Sequence, residues 1–265
     1  MDSAENLPAE PGLLVERTAG VVTLRFNRPR QRNAFAWPVR HLLIEALGAA
    51  AADPEVRVVV LAGDRVAFSS GGDLGEMSPG AEDTPDKLAA GLTITELIAT
   101  MPKPVVAAVQ GHAAGAAFGI ALACDLIYAA DNALLSPSFA LIGLSTDLSA
   151  SYWLPRALGL PRTKEILLSG RPLDAAAAFD AGIVSAVWPV DEFEERLATR
   201  VAELTAGPTR AFAAIKRLTN DSYARTLREQ TAEEIREQVE LVSSADHAEG
   251  VAAFLERRPP RFEGR

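Results

Sequence analysis

Two glycine-containing segments constrain this chain more than anything else in it. The first is Phe68-Ser69-Ser70-Gly71-Gly72-Asp73-Leu74. The second is Lys103-Pro104, the apolar run Val105–Val109, and then Gln110-Gly111-His112-Ala113-Ala114-Gly115-Ala116-Ala117. Each reads as a buried strand entering a tight turn of small residues and then a helix. The first N–H groups of a helix have no acceptor inside it and stand at the positive end of its dipole. Two such turns facing each other would form an oxyanion hole from main-chain donors alone. That chemistry suits a thioester whose carbonyl becomes an enolate.

The rest of the chain alternates strands and helices. Val21–Phe26 reads as a strand, and 38–50 as a helix with Val39, Leu42, Leu43, Ala46 and Leu47 apolar. Residues 56–62 read as a buried strand, 79–86 as a polar loop and 87–100 as a helix. Leu126–Ala130 is another strand, 149–158 and 164–169 are helical, and 186–190 is a short strand. From about 191 the chain is charged and helical, with long runs such as 231–243. This alternation implies an α/β fold, and periodicity alone would allow a doubly wound sheet. Three parts are expected: an acidic, loose tail at 1–12, a core at 13–190, and a helical segment at 191–265.

Composition narrows the partners. The 265 residues could make one large domain or two small ones, and 48% are hydrophobic, enough for a substantial core. A net charge of −9 argues against nucleic acid and against an anionic membrane. The lone cysteine, Cys124, excludes an intramolecular disulfide and fits a reducing, cytoplasmic setting. Residues 1–20 show no apolar core of a secretory signal. Residues 104–124 carry no Asp, Glu, Lys or Arg, a length that could span a bilayer. Gln110-Gly111 interrupts that run, however, and a buried strand followed by a buried helix explains it. His41, His112 and His247 have no ligand spacing, so no metal site is expected. Nucleotide-binding glycine motifs and a nucleophile elbow are also absent.

The ordered set of motifs resembles the crotonase superfamily, also called the enoyl-CoA hydratase/isomerase family. The resemblance begins at Thr23-Leu24-Arg25-Phe26-Asn27-Arg28-Pro29 with Asn33-Ala34. It passes through both glycine segments and Ala123-Cys124-Asp125-Leu126-Ile127, then Ile142-Gly143-Leu144 and Leu154-Pro155-Arg156. It ends at Glu249-Gly250-Val251-Ala252-Ala253-Phe254 and Arg258-Pro259-Pro260-Arg261-Phe262. It implies ββα units coiled into a spiral, with a C-terminal helical segment that assembles a homotrimer or a dimer of trimers. The implied ligand is an acyl-CoA thioester, with coenzyme A part of the substrate and no other cofactor.

The resemblance makes Gly72 and Ala116 the oxyanion donors. Ala116 replaces the usual glycine, which keeps the N–H and adds a methyl. Ser70, Gly71, Asp73, Leu74, Gly115, Phe139 and Leu144 would line the thioester. Arg28 and Arg32, with Arg30, follow the first strand where the family holds adenine and phosphates. Lys216 and Arg217 lie on a helix that can reach the nucleotide. The plainer account of these cations is solvated surface charge. Asp125 and Asp246 read as structural, holding loops by hydrogen bonds to backbone.

The two acids of family hydratases correspond here to Gly119 and Phe139, so ordinary hydration is not expected. Asp147, four residues after Gly143, resembles the proton-shuttling aspartate of the isomerase branch. Its alternative role is a cap on the helix through Tyr152. Chlorobenzoyl-CoA dehalogenases also place an aspartate here, but they need a histidine near Leu92 and a tryptophan at Phe139, and both are missing. Three readings stay open: a double-bond isomerase, a hydratase of fatty-acid β-oxidation, and a non-catalytic acyl-CoA binder. The acyl group depends on the variable region 75–95 and is not readable.

Overall fold

The computed structural model describes residues 11–77 and 84–264. Most of the expected tail therefore lies outside the described residues. Within it, the carbonyls of Pro11 and Gly12 accept hydrogen bonds from Asn27 at 3.0 Å each. The expected loop lies outside as far as residue 83. Its last residues differ from expectation: the helix already begins at Thr84, with Pro85 in its first turn, where a missing N–H costs nothing.

In chain order the elements begin with β1 (Leu13–Thr18), β2 (Val21–Phe26), α1 (Trp37–Ala52), β3 (Val58–Ala62), β4 (Ala67–Ser69) and α2 (Thr84–Thr100). Next come β5 (Val105–Val109), β6 (His112–Ala114), α3 (Ala116–Ala123), β7 (Leu126–Ala130) and β8 (Leu134–Ser136). Then follow α4 (Ala150–Leu158), α5 (Leu160–Ser169), β9 (Leu173–Asp174), α6 (Ala175–Asp180) and β10 (Ala186–Trp188). The chain finishes with α7 (Phe193–Thr205), α8 (Thr209–Asp221), α9 (Leu227–Val242) and α10 (Ala245–Glu256).

The strands form two sheets, ordered β1-β2-β3-β5-β7-β10 and β4-β6-β8-β9. Each consecutive pair, β3/β4, β5/β6 and β7/β8, gives its first strand to the larger sheet and its second to the smaller. A helix returns the chain after each pair, and the repeated step is the ββα spiral. β3, β5 and β7 read VVVLA, VVAAV and LIYAA, near-continuous apolar runs that a sheet covered on both faces requires.

Side chains alternate between two cores. Val59, Leu61, Val105, Ala107 and Ile127 join Leu43, Leu47, Ile94, Ile98 and Phe118 in the larger one. Val58, Val60, Val106 and Tyr128 face the other way, against Phe193, Leu197 and Val201 of α7. α7 thus completes the second core, and the packing does not change at residue 190, where the expected boundary was drawn.

Other expected boundaries shift for local reasons. β10 stops at Trp188 because Pro189 has no N–H to give a ladder. α5 starts at Leu160 rather than 164, with Pro161 in its first turn. Asp125 accepts from Val105 N at 2.7 Å, and Asp246 accepts from the N–H groups of Glu263 and Gly264 at 2.7 and 2.9 Å. Both therefore hold backbone, as expected. Beyond α8, α9 buries none of its own residues, while Ile235, Val239, Val242, Val251, Phe254 and Leu255 are exposed. Among the described residues no helix is long and apolar enough to cross a membrane, and no cluster of three potential metal ligands occurs.

Candidate active site

β4 and β6 are parallel neighbours, so the turns that follow them emerge side by side. A Cβ on Gly71 would lie 2.4 Å from Ala114 O and 3.3 Å from Ala116 N, and Gly71 has φ +89°. Only glycine fits where the two turns meet. Gly71 O accepts from Phe35 N at 2.7 Å in the bridge that pairs Phe35 with Gly72. Gly115 has φ +50° and ψ −119°, and its N–H donates to Ser136 O at 2.9 Å, clamping the second turn to β8. Ala116 follows as the first residue of α3 and has no intrahelical acceptor. Neither the Gly72 nor the Ala116 N–H donates to a protein acceptor among the described residues. The two sequence-predicted donors thus sit on adjoining turns.

Asp147 is delivered by an unusual loop. The five-residue 3-10 helix Ser138–Ile142 ends at Gly143 in the left-handed region, and Leu148 and Ser149 follow with φ +47° and +61°. Two consecutive non-glycine residues there cost on the order of 1–3 kcal/mol each, so packing must impose them. The Leu148 side chain is buried against α2, where a Cβ on Gly91 would lie 2.9 Å from its Cδ2. Its backbone crosses α3 at Gly119, one turn beyond Ala116. There a Cβ would lie 2.7 Å from Leu148 O and 3.0 Å from Asp147 O.

Asp147 Oδ1 and Thr146 Oγ1 are both buried without a hydrogen-bond partner among the described residues. Burial pushes the Asp147 carboxyl above the ordinary carboxylate range, and the Arg40 guanidinium only partly opposes it. The capping alternative is not realised. The cap of α4 is Ser149, and no side chain caps that helix.

The positions of the two hydratase acids are filled differently. Gly119 is covered by the Asp147–Leu148 backbone. Phe139 is buried, with its ring edge 3.9 Å from a Cβ built on Gly115. Leu74 and Leu144 are largely exposed, and Ser70 N donates to Arg32 O at 2.9 Å while the Arg32 residue itself is exposed.

Two expected substrate contacts are spent on each other. Arg28 Nη1 pairs with Asp73 Oδ2 at 2.9 Å and donates to Ala34 O at 2.9 Å. Asp73 also caps the turn Leu74–Glu76 by accepting from Gly75 N at 3.1 Å. Lys216 needs a clearer correction. Its buried Nζ donates to Ile98 O at 2.6 Å, Lys103 O at 3.3 Å and Asp125 Oδ2 at 2.8 Å. All three ammonium donors are engaged inside the chain, which ties α8 to the core rather than reaching for a nucleotide.

Sequence reasoning missed Thr146 and Arg40. Arg40 is only 6% exposed and lies on the same face of α1 as the fully buried Leu43 and Leu47. An arginine inside that apolar stripe was the available signal. For Thr146 there was none.

A family profile described as Enoyl-CoA hydratase/isomerase matches residues 16–265. The chain is 38% identical to a probable enoyl-CoA hydratase of Rhodobacter capsulatus, over 94% of this chain and 97% of that one. It is 34% identical to 4-chlorobenzoyl coenzyme A dehalogenase-1 of an Arthrobacter species, over 91% and 89%. It is 32% identical to the trans-2-decenoyl-[acyl-carrier-protein] isomerase of Streptococcus mutans, over 93% and 95%. The crystal structure of an enoyl-CoA hydratase from Polaromonas sp. JS666 superposes with a TM-score of 0.90 at 33% identity, covering 95% of this chain and 99% of that one.

Proposed function

The chain belongs to the enoyl-CoA hydratase/isomerase family, and from that premise we propose that it shifts a double bond in an acyl-CoA thioester with Asp147 as the proton shuttle. The observation that carries this reading is Asp147, whose Oδ1 is buried and whose backbone, leading into the left-handed Leu148–Ser149 pair, packs against α3 at Gly119, one turn from Ala116. In a 3-enoyl thioester, Asp147 takes the proton from the α-carbon. The C–H electron pair enters a dienolate whose oxygen accepts from the Gly72 and Ala116 N–H groups. The same carboxyl then returns the proton to the γ-carbon, leaving the 2-enoyl thioester. One carboxyl suffices because each proton it accepts is given back. Its raised pKa brings it nearer the range useful for both steps.

Hydration is the second reading, favoured by the printed names of several relatives. It asks for acids at both 119 and 139, and this chain has glycine and phenylalanine there. Dehalogenation, named for the Arthrobacter relative, is opposed by Leu92 and Phe139, since neither can supply the histidine or tryptophan that chemistry uses. We also propose that the apolar faces of α9 and α10 close against further copies in a trimer; sedimentation giving a stable monomer at micromolar concentration would rule that out.

The deciding experiment is turnover of 3-enoyl-CoA and crotonyl-CoA by the wild-type protein and Asp147→Asn, followed at the enoyl absorbance band. Isomerisation lost in the variant supports the proposal. Efficient hydration abolished by a site mutation favours the hydratase, and binding without turnover favours a non-catalytic acyl-CoA binder.

A further inference from the structure

We propose that Arg40 is a positioning residue of this site, a fixed cation beside which negative charge moves from the Asp147 carboxylate to the thioester oxygen held by Gly72 and Ala116. The inference rests on the Asp147 reading above. α1 turns Arg40 inward, where Nε donates to Phe35 O at 3.5 Å and the guanidinium carbon stands 6.0 Å from the Phe35 ring centroid. A Cβ built on Gly72 would lie 3.9 Å from Arg40 Nη2. The guanidinium therefore lies against the turn that carries one oxyanion donor.

Buried cations persist only with anions near them. Among the described residues, Asp147 and Glu76 are the acids whose charge Arg40 feels. Glu76 Oε2 accepts from Trp37 N at 2.8 Å, which commits it to the start of α1. Asp147 is the acid whose charge changes in the proposed turnover. In the first step a C–H bond breaks at the α-carbon and an O–H bond forms on Asp147, while the electron pair delocalises onto the thioester oxygen. The net charge of the site is unchanged, but its location shifts. In the second step the O–H bond breaks and a C–H bond forms at the γ-carbon. A guanidinium lying against the Gly72 turn, whose charge also favours the Asp147 carboxylate, opposes the burial that would trap Asp147 as the acid, and it favours the enolate as well.

The test compares Arg40→Gln and Arg40→Lys with Asp147→Asn. The measurements are steady-state isomerisation of a 3-enoyl-CoA across pH and calorimetric binding of crotonyl-CoA. Arg40→Gln should lower kcat by about tenfold to a hundredfold, less than the loss of an oxyanion donor, with KM changed by no more than about threefold. The acid limb of its kcat/KM profile should move to higher pH, because Asp147 loses the cation that favours its carboxylate. Arg40→Lys should restore part of kcat and most of that limb.

A wild-type kcat and acid limb in Arg40→Gln overturns the proposal. So does an Arg40→Lys protein, stably folded, that is as inactive as Asp147→Asn, and this second criterion stands even if the glutamine variant does not fold. The two readings fail separately. A fully active Asp147→Asn removes the shuttle itself, whereas an inactive Asp147→Asn beside an unchanged Arg40→Gln removes only the role of Arg40.

Discussion

Gly119 and Leu148 approach so closely that a side chain at residue 119 is excluded: a Cβ there would lie 2.6 Å from Leu148 Cβ. The obstacle includes Leu148 O and Asp147 O, which are backbone and cannot swing aside. The loop that delivers Asp147 thus occupies the place where family hydratases carry an acid. Gly119→Glu should cost about 3 kcal/mol or more of stability through overpacking and an unpaired charge. It should gain no hydration of crotonyl-CoA. Denaturant melts and the enoyl absorbance check both halves.

Asp147→Asn keeps the shape of the side chain but cannot accept a proton. Isomerisation should fall about a hundredfold or more, while acyl-CoA binding and folding persist.

The same substitution should stabilise the protein at neutral pH. Burial raises the folded-state pKa of Asp147, so the folded protein holds this proton more tightly than the unfolded chain. The contribution of this group to stability is therefore lost as pH rises from the ordinary carboxylate value through the raised one. Asparagine removes that penalty. Its melting temperature should exceed the wild type at pH 7, and the gain should shrink as pH falls into the carboxylate range. For activity the sign is opposite: kcat/KM should fall as Asp147 becomes protonated, with an acid limb above the ordinary carboxylate range.

Ala116→Pro deletes one oxyanion donor at the first position of α3, where proline is tolerated. The helix should survive, and kcat should drop by about 10²–10³. A folded variant with wild-type turnover would show that this N–H does not meet the thioester oxygen.

Lys216→Met takes the donor from the Ile98 and Lys103 carbonyls and the cation from Asp125, whose side chain is 21% exposed, a change that should cost about 1–3 kcal/mol. We expect a lower melting temperature and no weakening of acyl-CoA affinity beyond what reduced folding explains. A stable variant with selectively weaker binding would return Lys216 to the nucleotide site.

Much of the fold could be read in order along the chain, because β2, β3, β5 and β7 record their burial locally. An apolar run such as Val105–Val109 is buried on both faces wherever it is placed, and the small-residue turns after Ser70 and Ala114 need glycine for reasons of backbone geometry. Asp147 and the two expected oxyanion donors, Gly72 and Ala116, became candidates through the resemblance to the family rather than through local pattern. Nor did local pattern show the smaller sheet. β4, β6 and β8 are three residues each, too short to carry a period, and only crossover packing aligns them.

Nor does a sequence state what stands opposite a buried charge. In one dimension Arg40 shows only that it interrupts an apolar stripe, and Lys216 looks like a surface cation. Tertiary packing sets one against Gly72 and binds the other to Asp125 and two carbonyls. The left-handed turn at Leu148 and Ser149 is likewise invisible locally, since neither residue prefers it. It exists because Gly91 and Gly119, far away along the chain, leave room for Leu148 alone.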